Sequence, residues 1–297
     1  MRKIMSFFRR SAFLWALLLV FVLADPVLQR LNPVGSCGFI RRNDYEITRQ
    51  LHPEKVWDKV FFGASGVTAG YDETKSASGY VNLGMDYGVI TDLYDMVRKG
   101  TIEIGSELVI GTDFLCFYDG LDTISSYPWL RPWYEPYVFF QRLRISGFVT
   151  DGVTNLLHGK PFASNDYSGQ EKSLYPGVVT PEEMQEKMAR YEAEFWHLDS
   201  TEFDRNMQAL DDLLALCQTR GIRVRALWVP WNTDYEIPQI QYDVMTRAGA
   251  IYDKYGVEVL DLTTEFDPSY LHDLWHVNAE SGRTHFMEVV DPWLCQN

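Results

Sequence analysis

Apolar residues along this chain fall into two patterns, short unbroken runs and stripes whose members lie three or four positions apart. The runs predict buried β-strands and the stripes predict amphipathic helices. Strands are predicted at 56–62, 80–83, 107–110, 222–229 and 257–262, with helices between them. Because strands that alternate with helices form a parallel sheet covered on both faces, the pattern predicts an α/β fold with a parallel five-stranded sheet.

Capping residues mark where several helices begin and end. Thr180, followed three residues later by Glu183, forms a capping box that opens a helix over 181–195. Gly221 and Gly256 follow two further apolar stripes, and glycine commonly ends a helix. Asn278 is expected to cap a last helix that runs through residue 290.

The alternation is interrupted between about residues 114 and 200. A structureless loop of that length is unusual inside a compact domain, so we expect an insertion with helices of its own. The predicted domain spans 31–297 and carries this insertion. An aromatic run at 127–137 lies within it, where it either forms a packed core, stacks on sugar rings or lies at the level of lipid headgroups.

Residues 1–30 have the composition of a targeting segment. Basic residues precede an unbroken apolar run from Ala12 to Ala24. The run is short for a membrane span and suits the core of a signal peptide, unless the residues after Asp25 and Pro26 extend it. We favour an uncleaved anchor over a cleaved signal peptide, and the positive flank predicts that the rest of the chain lies outside the cytoplasm.

Composition narrows the classes of function. Lys and Arg number 27 against 41 Asp and Glu, and the net charge of −14 argues against a nucleic-acid-binding protein, which carries a basic face. The four cysteines show no metal-ligand spacing, and Cys217, on an apolar stripe, is expected to be a buried free thiol. No GxGxxG loop follows the first strand, so no cofactor is expected. The lack of metal-ligand spacing means that no metal is expected either.

Candidate chemistry lies after the predicted strands. Ser65 lies in a Gly-Ala-Ser-Gly turn after the first strand, Gly84 ends the second, Asp113 follows the third, and Asp273 and His276 follow the fifth. We expect these residues at one edge of the sheet, because the carboxyl ends of parallel strands meet there. A serine, together with a histidine whose tautomer is fixed by a nearby carboxylate, is what nucleophilic acyl chemistry requires.

This ordered set resembles the SGNH hydrolase superfamily, serine esterases and acyltransferases with a flavodoxin-like three-layer fold, over about residues 56–290 apart from the insertion. The resemblance implies that Ser65 is the nucleophile and that Asp273 orients His276, the base. It also implies that the amides of Ser65 and Gly84 hold the oxyanion. With its N-terminal segment, the chain looks most like membrane-tethered members that act on cell-envelope polymers.

Two residues depart from the family pattern. Ala64 stands where Asp is usual, and Asp113 stands where the family has an Asn that donates to the oxyanion. An ionised Asp113 would repel the negative charge of the oxyanion. Either Asp113 is protonated, or its side chain points elsewhere, or Thr112 or Asn232 donates to the oxyanion in its place. One missing donor costs about 10²–10³ in rate.

The sequence therefore predicts an extracytoplasmic serine acyl esterase or O-acyltransferase that acts on a cell-envelope glycan or related acyl ester, with a membrane acyl-transfer protein as a further partner. Trp231 and His272 are expected to line the substrate site. The alternative is a non-catalytic envelope protein that binds glycan or a partner with the same fold. A flavodoxin-type cofactor binder is a third, less favoured hypothesis, because the phosphate-binding loop is missing.

Overall fold

The computed structural model describes residues 11–31, 44–121, 128–130, 142–162, 172 and 174–296. Backbone contacts divide the chain into two compact units. One comprises Met1–Arg42 and Leu130–Gln170, and the other comprises Asn43–Trp129 and Glu171–Asn297. The second unit holds the sheet, and the segment outside it, 130–170, is shorter than the insertion expected at about 114–200.

The described part of the first unit consists mainly of two helices, numbered along the whole chain as α1 (Ala12–Leu31) and α5 (Arg142–Leu157). Among the described residues, no helix is both long enough and apolar enough to cross a membrane. Residues 1–10 of the segment expected as an anchor or signal lie outside the described residues.

The second unit alternates strands with helices. Its elements are α2 (Asp44–Leu51), β1 (Val56–Gly63), α3 (Ser65–Gly70), β2 (Val81–Gly84), α4 (Ile90–Lys99), β3 (Glu103–Thr112), α6 (Pro181–Glu194), α7 (Asp204–Arg220), β4 (Arg223–Trp228), α8 (Gln239–Tyr255), β5 (Glu258–Asp261) and α9 (Ser281–Leu294). Short 3₁₀ helices at Phe114–Phe117, Ser200–Phe203 and Pro268–Tyr270 join them.

The sheet has five parallel strands in the order β2-β1-β3-β4-β5, which confirms the predicted α/β fold. Gly63 at the end of β1 pairs with Gly84 of β2 and with Gly111 of β3. Thr112 pairs with Trp228 of β4. The register therefore aligns the carboxyl ends of the strands, where ligands bind in open α/β sheets.

Helices cover both faces of the sheet. A Cβ atom on Gly111 would point at Val67 of α3, whereas the side chain of Thr112 faces Tyr252 of α8. Because neighbouring residues of a strand point to opposite faces, α3 and α8 lie on opposite sides. Helix α9 packs with α3, and α4, α7 and α8 pack side by side, so the sheet forms the middle layer.

Several local predictions can be compared with the structure. Asn278 Oδ1 accepts hydrogen bonds from the amides of Ser281 and Gly282 at 3.0 and 2.8 Å, so its side chain satisfies first-turn amides of α9, although the N-cap residue is Glu280 and the helix continues to Leu294. Cys217 is buried and free, as expected. Within the aromatic run, Trp129 is buried and its indole donates to Asp92 at 2.7 Å, so it belongs to the core. Residues 131–137 of that run lie outside the described residues.

Candidate active site

Close packing at the end of β1 positions Ser65. The strand ends at Gly63 and α3 begins at Ser65, so the turn between them is a single residue. A Cβ atom on Gly63 or on Gly111 would collide with the side chain of Val67. The two glycines therefore let α3 approach the sheet closely, and Ser65 begins that helix at the sheet edge.

Ser65 and His276 are in direct contact. Ser65 Oγ lies 2.7 Å from His276 Nε2, and His276 Nδ1 lies 2.8 Å from Asp273 Oδ1. The carboxylate accepts the proton of Nδ1, which leaves Nε2 free to accept the hydroxyl proton of Ser65. The structure thus brings together the three residues that the sequence placed at opposite ends of the domain.

The loop after β5 fixes the carboxylate. Asp273 Oδ1 accepts hydrogen bonds from the amides of Trp275 and His276 at 3.3 and 3.1 Å, and Oδ2 lies 2.6 Å from Lys187 Nζ of α6. Burial works to raise the pKa of Asp273, but the interactions with His276 and Lys187 outweigh it and lower the pKa well below its usual range. The carboxylate is therefore ionised at neutral pH.

An aromatic ring covers the histidine. The ring of Tyr175 stacks on that of His276 with centroids 3.9 Å apart and planes inclined by 18°. Burial raises the pKa of Tyr175, while interaction of its hydroxyl with the Ser65 side chain works to lower it. Tyr175 comes from a stretch without periodic pattern, and no spacing in the sequence connects it to His276.

Ser65 and His276 open into a cavity of about 320 Å³. Carbon-rich side chains form one part of its wall, namely Leu115, Leu121, Tyr191, Phe195 and Trp275. Polar and charged residues form another, namely Asp86, Asp113, Tyr175, Arg190 and Glu194. Tyr87 at the cavity has a φ of 58°, a conformation that bulky residues rarely adopt and that tends to occur at functional sites.

Asp113 lies at the cavity, at the position where the sequence predicted an oxyanion donor. Its side chain is 4% exposed, and Oδ1 accepts a hydrogen bond from the amide of Cys116 at 3.1 Å. Burial raises the pKa of Asp113, although the hydrogen bond from Cys116 and the nearby His276 oppose the rise. The Asp113 side chain thus caps the 3₁₀ helix at Phe114–Phe117 and lies at the cavity wall.

Of three other residues considered as oxyanion donors, two donate to other acceptors and the third points to the other face of the sheet. The Gly84 amide donates to Asn82 Oδ1 at 2.8 Å. The Thr112 side chain points to the α8 face of the sheet, away from Ser65. Asn232 Nδ2 donates to the carbonyl of Asp273 at 3.3 Å, so Asn232 supports the loop of the triad carboxylate. These expectations are corrected, because a donor must face the reacting group.

The two residues expected to line the substrate site are also displaced from it. Trp231 is buried beside Trp275 with ring centroids 5.6 Å apart, and its indole donates to the carbonyl of Tyr235. His272 Nδ1 lies 3.0 Å from the carbonyl oxygen of Gly177. Neither is among the described residues that line the cavity, whereas Trp275 is.

Sequence reasoning missed Lys187, Tyr175 and the wall formed by α6. Trp275 lies between Asp273 and His276 in the sequence, and this position could have indicated that it lines the cavity. In the described part of the chain, no group of three or more His, Cys, Asp or Glu side chains is placed to hold a metal ion.

No family model and no curated protein matches this chain.

Proposed function

We propose that this protein is a serine acyl esterase or O-acyltransferase, with Ser65 as nucleophile, His276 as general base and acid, and Asp273 as the group that orients the histidine. The observation that supports this most is the continuous contact from Ser65 Oγ to His276 Nε2 at 2.7 Å and from His276 Nδ1 to Asp273 at 2.8 Å. A serine hydroxyl is a weak nucleophile unless an adjacent base accepts its proton.

In the proposed reaction, Ser65 Oγ bonds to the carbonyl carbon of an ester while its proton moves to His276 Nε2. The tetrahedral intermediate collapses, the ester C–O bond breaks, and the leaving alcohol takes the proton from the imidazolium. Water or a sugar hydroxyl then attacks the acyl-serine and gives its proton to Nε2; the bond from the acyl carbon to Oγ breaks, and Oγ takes that proton back from the imidazolium, which restores Ser65 and the neutral His276. Asp273, ionised because His276 and Lys187 lower its pKa, stabilises the imidazolium at each step.

The strand order supports placing the domain among flavodoxin-like three-layer folds, whose sheets have the order 2-1-3-4-5. This is the fold class that the SGNH resemblance implies, and the protein is proposed as a member with the departures at Ala64 and Asp113. We further propose an acylated cell-envelope glycan or related ester as substrate and a location outside the cytoplasm. That location rests on the basic and apolar residues of 1–24 alone.

Labelling with a serine-directed fluorophosphonate tests the proposal. The wild-type protein should be labelled on Ser65, as located by peptide mass spectrometry, and Ser65→Ala should not be labelled. Ser106→Ala is the matched control, because Ser106 lies near the opposite end of β3 and donates to the Asp58 carbonyl. Equal labelling of wild type and Ser65→Ala would refute the proposed nucleophile. Glycan binding without labelling or ester turnover would instead establish the non-catalytic alternative.

A further inference from the structure

The candidate active site has a base for its serine and the Ser65 amide at the start of α3, but few other donors for the oxyanion that acyl transfer creates. The Gly84 amide and the Asn232 amide group are both committed to other acceptors. Asp113 replaces the amide side chain of the related family and donates only when it is protonated. An O–H or N–H group that points toward the Ser65 hydroxyl from outside these positions would complete the site.

Tyr175 is placed to supply that group. Its ring stacks on His276 at 3.9 Å, and the same imidazole contacts Ser65 Oγ through Nε2. The Ser65 side chain is one of the groups that affect the pKa of the Tyr175 hydroxyl. The phenol also lines the cavity that an ester would enter.

The environment keeps the phenol protonated. Burial is the main cause that raises the pKa of Tyr175, and the charges of Asp86, Asp273 and Asp44 act in the same direction. A neutral phenol is a hydrogen-bond donor at all pH values where His276 serves as a base, whereas a phenolate would repel an oxyanion.

We propose that the Tyr175 hydroxyl donates a hydrogen bond to the carbonyl oxygen of the ester as Ser65 attacks, so that Tyr175 is a catalytic residue in place of the missing asparagine. This rests on the proposed function. The carbonyl oxygen bonds to the carbon that Ser65 Oγ attacks, so the oxyanion forms beside Oγ, in the cavity that Tyr175 also lines. No proton is transferred by Tyr175, because the donor strengthens its hydrogen bond as negative charge develops.

The ring and the hydroxyl of Tyr175 are separable by mutation. Tyr175→Phe keeps the stacking on His276 and removes only the donor, whereas Tyr175→Leu removes both. Tyr242→Phe on the exposed face of α8 is a matched control for the loss of a phenol hydroxyl. Equal unfolding midpoints in urea would verify that Tyr175→Phe is folded.

The experiment compares turnover of p-nitrophenyl acetate and the rate of fluorophosphonate labelling. We expect Tyr175→Phe to lower kcat by about 10²-fold or more with KM nearly unchanged, because the donor acts on the transition state. Tyr242→Phe should retain the wild-type rate. Ser65 should still be labelled in Tyr175→Phe, but more slowly.

A thionoester substrate separates donation to the oxyanion from positioning of His276, because sulfur accepts hydrogen bonds poorly. Wild type should prefer the oxygen ester strongly, and Tyr175→Phe should lose most of that preference. An equal loss of rate on both substrates would overturn the inference, as would turnover by Tyr175→Phe within about threefold of wild type. In either of these two outcomes for Tyr175→Phe, Ser65 is still labelled and the proposed function stands. If the wild-type protein is neither labelled nor active on the ester, the proposed function and this inference are overturned together.

Discussion

Lys187 Nζ lies 2.6 Å from Asp273 Oδ2, so α6 is joined by an ion pair to the carboxylate that orients His276. Asp273 is 3% exposed in its side chain and Lys187 is 27% exposed. The lysine thus partly compensates a charge that the protein has removed from water. Its helix also contributes Arg190, Tyr191 and Glu194 to the cavity, so one element both supports the triad and shapes the site.

Replacement of Lys187 by Met should destabilise the fold. Asp273 would keep its hydrogen bonds from backbone amides but lose its charged partner, and we expect a loss of about 1–2 kcal/mol in the free energy of unfolding, reduced by the partial exposure of the lysine. Urea denaturation at neutral pH measures this. Lys75→Met, which removes a surface lysine paired with Asp72, should cost less than about 1 kcal/mol. Equal costs for the two variants would mean that the Lys187 pair contributes no more than a surface contact.

Asp273→Asn should abolish most activity. An asparagine in this position does not hold the Nδ1–H tautomer, so Nε2 no longer accepts the proton of Ser65, and kcat should fall by about 10⁴ on p-nitrophenyl acetate. Asp267→Asn is the control, because Asp267 caps a 3₁₀ helix through Ser269 and lies outside the cavity. A loss of tenfold or less in Asp273→Asn would show that this carboxylate does not set the tautomer.

Gly63→Ala should disturb the nucleophile turn. The added methyl group would collide with Val67 and with the carbonyl oxygen of Gly111, which overpacks the contact between α3 and the sheet. We expect a loss of about 1–3 kcal/mol and slower labelling of Ser65. Gly249→Ala on α8 is the control, because a methyl group there meets no heavy atom within 4 Å and Ala favours a helix. A Gly63→Ala protein with wild-type stability and labelling rate would contradict the packing argument.

Asp92 should give the stability a measurable pH dependence. Burial raises the pKa of Asp92 to about 6, although the hydrogen bond from Trp129 opposes this. The raised pKa means that the stabilising contribution of the protonated carboxyl is full below about pH 4 and is lost as the pH rises through about 6. Asp92→Asn avoids this loss, so its stability relative to wild type should rise by about 2–3 kcal/mol from pH 4 to pH 8.

Urea unfolding of both proteins at the two pH values tests the Asp92 prediction. Asp95→Asn serves as a control of opposite sign, because Lys99 and Arg98 lower the pKa of Asp95 despite its desolvation. Its stability relative to wild type should fall slightly over the same pH interval. A difference between Asp92→Asn and wild type that is constant with pH would show that Asp92 titrates alike in the folded and unfolded states.

The strands and the identity of the triad residues followed from the sequence because they depend on local signals. An apolar run that ends in glycine and is followed by Ser65 indicates a strand end, and the spacing of Asp273 and His276 suits a short turn. The start of β3 was missed, since Glu103, Gly105 and Ser106 lack an apolar pattern although the strand includes them. Strand pairing with β1, rather than burial, extends β3 over these residues.

The rest of the site depends on contacts that leave no local signal. Whether the Gly84 amide is free depends on the Asn82 side chain, which accepts its hydrogen bond. That the Thr112 side chain faces α8 rather than Ser65 depends on which side of β3 each helix covers. Tyr175 and Lys187 reach His276 and Asp273 from a segment without strand–helix alternation, so only their three-dimensional placement reveals them.

The order of the triad along the chain has a consequence for biosynthesis. Ser65 lies in the first part of the sheet to be synthesised, whereas His276 follows the edge strand β5, the last strand of the sheet. Until β5 and its following loop have docked, the hydroxyl is an ordinary alcohol without a proton acceptor. Under the proposed mechanism, a nascent or C-terminally clipped polypeptide is therefore inert toward esters, and reactivity begins only when the final segment folds.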